Sequence, residues 1–183
     1  KKETKMADEK KEEVIAGLDD EEPSEIILRL ECNDGGTVNC SRSAAMLSEL
    51  LSSLCEDERA AEEPIALPHL DSNIVAKIIE YMEHHKTHPP NQVEAPLKST
   101  NISVLFGTFD ANFVESLDQA ALFQVLLGAN YMAVTSLVTL LCAKIATMMS
   151  GKTPSKIRQT FGIREFTAKE RVEVQKHFPD LLE

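Results

Sequence analysis

Basic residues are scarce in this sequence: 19 Lys and Arg stand against 30 Asp and Glu in 183 residues, a net charge of −11. An acidic chain repels a phosphate backbone, and no stripe of Lys and Arg interleaved with aromatics offsets that, so nucleic acid is not an expected partner. Cysteine is sparse too. Cys32, Cys40, Cys55 and Cys142 form no Cys-x-x-Cys pair. The first residues contain no apolar signal segment, and no prenylation or retention signal closes Asp180-Leu181-Leu182-Glu183. Reduced, buried thiols in a cytoplasmic and nuclear protein are the expectation, with a Cys32–Cys40 bridge across a turn as the alternative.

Long uninterrupted apolar runs are also missing. From Ala120 to Met149 the only charge is Lys144, but Gln124, Gly128, Asn130, Thr135, Ser136 and Thr139 break the run. A membrane span needs about 20 continuous apolar residues, so two buried helices are expected and no membrane partner. The sequence has no Gly-x-Ser-x-Gly, no His-Glu-x-x-His and no kinase signature, and no catalytic residue is nominated. Internal repeats are absent.

What is there is ordinary globular composition, 43% hydrophobic and 27% charged, enough for one domain or a domain with an extension. Residues 1–24 form a charged tail with too little apolar surface to offset ordering entropy. Glu25 to Cys32 reads as a strand, with Ile26, Leu28 and Leu30 facing the layer beneath. Asn33-Asp34-Gly35-Gly36 is a tight turn, and Thr37 to Cys40 returns as a second strand. Ala44 to Leu54 reads as one helix with a Leu47, Leu50, Leu51, Leu54 stripe. An acidic loop, Glu56 to Glu63, leads to a short strand bounded by Pro64 and Pro68. Asp71 is the candidate N-cap of a helix burying Ile74, Val75, Ile78, Ile79 and Met82. After a polar linker, Asn91 to Thr100, the pattern is helical. There is a short piece at Asp110 to Val114, then a helix from Asp118 or Ser116 to about Ala129. Further helices span Val134 to Met149, Pro154 to Thr160, and Thr167 toward Lys176, the last opened by capping-box spacing. Two strands, a helix, a strand and then helices imply an α+β fold, a small sheet with helices on one side.

Three constellations invite chemistry. Gly151-Lys152-Thr153 matches the end of a phosphate-binding loop. The required upstream glycine is replaced by Ala146, the preceding segment reads as helix, and Pro154 follows at once; a turn between helices is the competing reading. His84, His85 and His88 could hold a metal, but no cysteine or carboxylate sits at ligand spacing, and a solvated helix end is expected instead. Cys142 lies among Leu140, Leu141, Ala143 and Ile145, which points to core packing rather than nucleophilic use. Neither metal nor cofactor is expected.

The more informative feature is surplus apolar surface. The helices from Asp118 and Val134 are apolar nearly all round and must be covered on more than one side. Residues after Gly151 either fold back and complete the core or leave apolar surface for another protein; pattern alone leaves both open. That last part carries seven Lys or Arg against five acidic residues, +2 in a chain of −11, and ends of opposite sign can steer different partners.

The phrases LDQAALFQVLLGANYM, CAKIATMMSGKTPSKIRQTFGI and IALPHLDSNIVAKIIEYMEHHKTHPP closely resemble the S-phase kinase-associated adaptor family of SCF ubiquitin ligases, over about Glu25 to Lys176. The resemblance implies a BTB/POZ-like domain at 25–150 and an F-box-binding helical extension at 151–183. It implies a non-catalytic adaptor joining a cullin to F-box substrate receptors. By position, Asn130 and Tyr131 fall in the cullin-contacting motif, and Phe123, Ile145, Met149, Ile157, Phe161, Ile163 and Phe166 match apolar positions on the F-box side. Self-association of the isolated protein would follow from the same uncovered surface. The alternatives are a BTB-type adaptor serving a non-cullin scaffold, and a nucleotide binder using Gly151-Lys152-Thr153. The family's frequent C-terminal tryptophan is missing, with Phe178, Leu181 or Leu182 as stand-ins. Ala168 occupies the position of a proline modified in some members.

Overall fold

The computed structural model describes residues 25–55 and 63–178. The charged tail, most of the acidic loop, Leu181 and Leu182 lie outside them. Strand β1 (Ile27–Cys32) and β2 (Thr37–Ser41) form an antiparallel hairpin with Leu28 opposite Cys40 and Leu30 opposite Val38. Strand β3 (Ile65–Leu67) lies on the other side of β1, parallel to it, giving the order β2-β1-β3. Side chains of a strand alternate between faces. Leu28, Leu30, Cys32, Cys40, Ile65 and Leu67 are buried, while Ile27, Arg29 and Glu31 point outward. Ile26 precedes the strand and is 42% exposed, so it does not join the buried row as its spacing suggested.

The expected single helix over Ala44 to Leu54 is two: α1 (Arg42–Ala45) and α2 (Glu49–Leu54). Ser48 causes the break. Its buried Oγ donates to the Met132 carbonyl at 2.5 Å and accepts from the Leu51 N–H at 3.1 Å, capping α2 instead of continuing α1. The stripe is split accordingly: Leu51 is buried, Leu47 and Leu50 are half-buried and Leu54 is exposed.

Helix α3 (Ser72–His85) buries Ile74, Val75, Ile78, Ile79 and Met82 as its periodicity requires, and adds Tyr81 and His85. Asp71 occupies the N-cap position but makes no side-chain capping bond. Asp34, in the β1–β2 turn, does that work: its Oδ2 accepts from the Ser72 N–H at 3.1 Å and from the Ser72 hydroxyl at 2.6 Å. Those bonds, with the Gly36 N–H, hold the Asp34 carboxyl below the usual range. Helix α3 packs on β1 and β2 on one side and on the later helices on the other.

The second half is helical as expected, with one element that the pattern did not reveal, α4 (Ile102–Leu105). Then come α5 (Thr108–Glu115), α6 (Gln119–Tyr131), α7 (Thr135–Met149), α8 (Pro154–Phe161) and α9 (Ala168–His177). Asp118, not Ser116, caps α6 through the Ala121 N–H at 2.7 Å. Thr167 and Glu170 make the anticipated reciprocal capping box of α9. The result is an α+β fold whose core joins one sheet face to α3, α6 and α7. Helices α8 and α9 bury no residue. No helix of the described residues is long and apolar enough to cross a membrane.

Candidate protein-interaction surfaces

Helix α6 positions both candidate surfaces. Leu122, Val125, Gly128 and Ala129 are its buried side, packed against α3 and α7. A Cβ added at Gly128 would lie 2.9 Å from Ile78 Cδ1 and 3.1 Å from Ile74 Cγ2, so glycine here sets the α3–α6 approach. Residues four apart on a helix stack along one ridge, and Gln119, Phe123, Leu127 and Tyr131 form that ridge on α6. At its first end the Gln119 Nε2–H donates to the Thr160 carbonyl at 2.8 Å, and Phe123 meets Phe161 edge-on with ring centroids 5.9 Å apart. At its last end Tyr131, 40% exposed, meets His69 edge-on at 5.6 Å. Asn130 beside it is exposed. With a rise of about 1.5 Å per residue, Phe123 and Tyr131 sit about 12 Å apart along the axis. Between them Leu127 is 70% exposed. The sequence marked Leu127 only as part of an apolar helix; its i+4 spacing to both neighbours was the available signal.

The nominated F-box-side positions scatter over α6, α7 and the α8–α9 arm. Met149 and Ile163 are exposed, and Phe123, Ile145, Ile157, Phe161 and Phe166 are half-buried. The structure brings Phe123 and Phe161 together directly. It connects Phe166 to α8 through Arg158, whose guanidinium lies 4.7 Å from the Phe166 ring centre. Arg158 also lies 3.8 Å from Glu165, which Arg171 approaches at 3.4 Å. Arg164 forks onto Glu170 at 2.7 and 2.6 Å; these bonds, then those from Thr167, pull the Glu170 carboxyl down to about 2. Ile145 and Met149 are one turn apart on α7, and Ile163 follows the left-handed Gly162 that ends α8. Phe178, the described candidate for the missing tryptophan, is 58% exposed.

Gly151-Lys152-Thr153 is a helix–turn–helix joint. It follows α7, Gly151 has φ 68°, the Thr153 hydroxyl accepts from the Lys156 N–H, and Pro154 opens α8. The histidines are not a solvated helix end. His85 is buried, with Nε2 bonded to Asp110; His84 stacks on Phe109 at 3.5 Å, and only His88 is exposed. The described residues contain no group of three or more His, Cys, Asp or Glu placed to hold a metal. Cys142 is exposed, which overturns its expected core packing: α7 has an outward side even where its sequence is wholly apolar. Cys32, Cys40 and Cys55 are buried free thiols, and burial, reinforced by Glu83, pushes the Cys40 thiol up to about 12.

A three-stranded sheet covered by helices, continued by an arm with no buried residue, defines a POZ-type domain with a helical extension. Comparison with known proteins agrees. Residues 26–87 match the tetramerisation-domain model of the Skp1 family and residues 135–179 its dimerisation-domain model. S-phase kinase-associated protein 1 homolog of Tetrahymena thermophila is 36% identical over 76% of this chain and 84% of its own. SKP1-like protein 1A of Arabidopsis thaliana is 34% identical over 80% and 91%. SCF ubiquitin ligase complex protein SKP1a of Dictyostelium discoideum is 30% identical over 82% and 92%. The chain belongs to the Skp1 family.

Proposed function

We propose that this protein is a non-catalytic adaptor of an SCF ubiquitin ligase, joining a cullin scaffold to F-box substrate receptors. The observation that carries this reading is the apolar surface left uncovered on α6 to α9. Leu127, Tyr131, Met149, Ile163, Val172 and Phe178 are each at least 39% exposed, and the arm itself buries nothing. Apolar area of that extent on a folded chain belongs against another protein. A permanent partner wrapped on it would bury on the order of 2,000 Å² or more. Asn130 and Tyr131, at the end of α6, form the cullin side. Phe123, Ile145, Met149, Ile157, Phe161, Ile163 and Phe166 form the F-box side, with the domain boundary at Gly151. The compartment is cytoplasm and nucleus, where three buried free thiols stay reduced. In isolation the same surface favours self-association. Affinity capture of the full chain from its native cell, read by mass spectrometry, tests the reading: cullin and F-box peptides are expected together, and their joint absence refutes it.

A further inference from the structure

The arm after Gly151 differs from the body in charge. Its seven Lys or Arg face five Asp or Glu, leaving −13 for residues 1–150 of a chain of −11. The arm's own carboxylates are partly spent. Glu165 faces Arg158 and Arg171, and Glu170 is held by Arg164. Lys169 and Lys176 make no ion pair among the described residues, although the exposed Glu173 shares their side of α9, i+4 from Lys169 and i−3 from Lys176. Together with Val172 they occupy positions i, i+3 and i+7 of α9, one face of the helix. All three are exposed, Val172 at 69%. Glu170 and Val174, one turn apart, are the half-buried side.

An apolar side chain between two ammonium groups, on a face that stays net positive with Glu173 counted, is selective about what covers it. A neutral or basic partner that buries Val172 strips water from both lysines and returns no counter-charge. A partner with carboxylates beside its own apolar residue converts both into rim ion pairs, which steer encounter and weaken with salt. Resting on the receptor-binding reading above, we propose that the outer face of α9 selects F-box receptors by charge, docking a segment in which carboxylates flank an apolar side chain. Lys169 and Lys176 are the specificity-determining residues and Val172 the contact between them.

The test uses the full chain and one F-box segment in two versions, one with carboxylates around its exposed apolar side chains and one with the matching carboxamides. Calorimetric titration over a salt series should show the acidic version binding about tenfold tighter at low salt, with the gap closing as salt rises. Lys169→Glu with Lys176→Glu should remove the advantage of the acidic version over the carboxamide version, and the Lys→Gln pair should fall between wild type and the Glu pair. Phe161→Asp should abolish binding of both versions. Equal affinity for the two versions, or indifference to the lysine changes, overturns selection by charge and leaves receptor binding standing. Failure of the wild type to bind either version removes receptor binding itself, and this proposal with it. An effect of the lysine changes on sedimentation alone identifies a second copy of the chain as the occupant and also overturns it.

Discussion

His85 Nε2 lies 2.8 Å from Asp110 Oδ1, with the two side chains only 5% and 2% exposed. His85 Nδ1 lies 2.6 Å from the His88 carbonyl oxygen, and the Tyr81 ring packs against the imidazole at a tilt of 47°, ring centroids 4.2 Å apart. The His88 carbonyl can only accept, so Nδ1 donates to it, and with the Asp110 carboxylate as a second acceptor at Nε2 the site favours the imidazolium. Burial opposes the charge, but the bonds to Asp110 and the His88 carbonyl outweigh it and raise the pKa above its ordinary 6.5. A raised folded pKa makes the contribution complete below pH ~6.5 and lost as pH rises through the folded value. Asp110→Ala leaves a buried cation without its counter-charge and should cost about 3 kcal/mol at pH 6 by urea unfolding. The gap to wild type should narrow as the pH is raised. A gap that widens with pH contradicts the protonated assignment.

Tyr131→Ala should weaken cullin binding by about 2 kcal/mol or more while F-box binding survives, because an exposed tyrosine at the end of α6 has the make-up of an interface anchor. Titration of the variant with each partner separately checks this. Equal loss of both partners, with the fold intact by circular dichroism, contradicts two separate surfaces.

Phe166→Asp should lose F-box proteins and keep the cullin. The ring lies under Arg158 at the α8–α9 joint, and a carboxylate there replaces apolar contact by an ion pair that holds the arm without offering a surface. Phe123→Ala removes the aromatic contact that fastens Phe161 to α6, so amide hydrogen exchange across α8 should rise about tenfold, the ~1.4 kcal/mol at the upper end for an aromatic pair. Unchanged F-box affinity in Phe166→Asp, or unchanged exchange in Phe123→Ala, counts against these roles.

Gly128→Val should destabilise the fold by about 1–3 kcal/mol, since even a Cβ crowds Ile78, Ile74 and Leu70 where α3 and α6 meet. Gly151→Ala makes an instructive control. Nothing lies within 4 Å of an added Cβ there, and only the φ of 68° resists it, so its cost should be about 1 kcal/mol. Thermal unfolding of both variants separates packing from backbone conformation.

The sequence alone determined the α+β class, the strand alternation of β1, the buried face of α3, the capping box of α9 and the joint at Gly151. Each of these is written in residues a few positions apart, within the reach of strand and helix periodicity. Contacts between distant residues decided the rest. Ser48 broke an expected helix by bonding to Met132, 84 positions away. Asp34 displaced Asp71 as the cap of α3. Asp110 holds a supposedly solvated histidine inside the core. Cys142 and Leu127 face outward although their neighbours are apolar. A helix that is apolar all round states only that it must be covered; which side its own chain covers, and which it leaves for a partner, is set by packing geometry that no local pattern encodes.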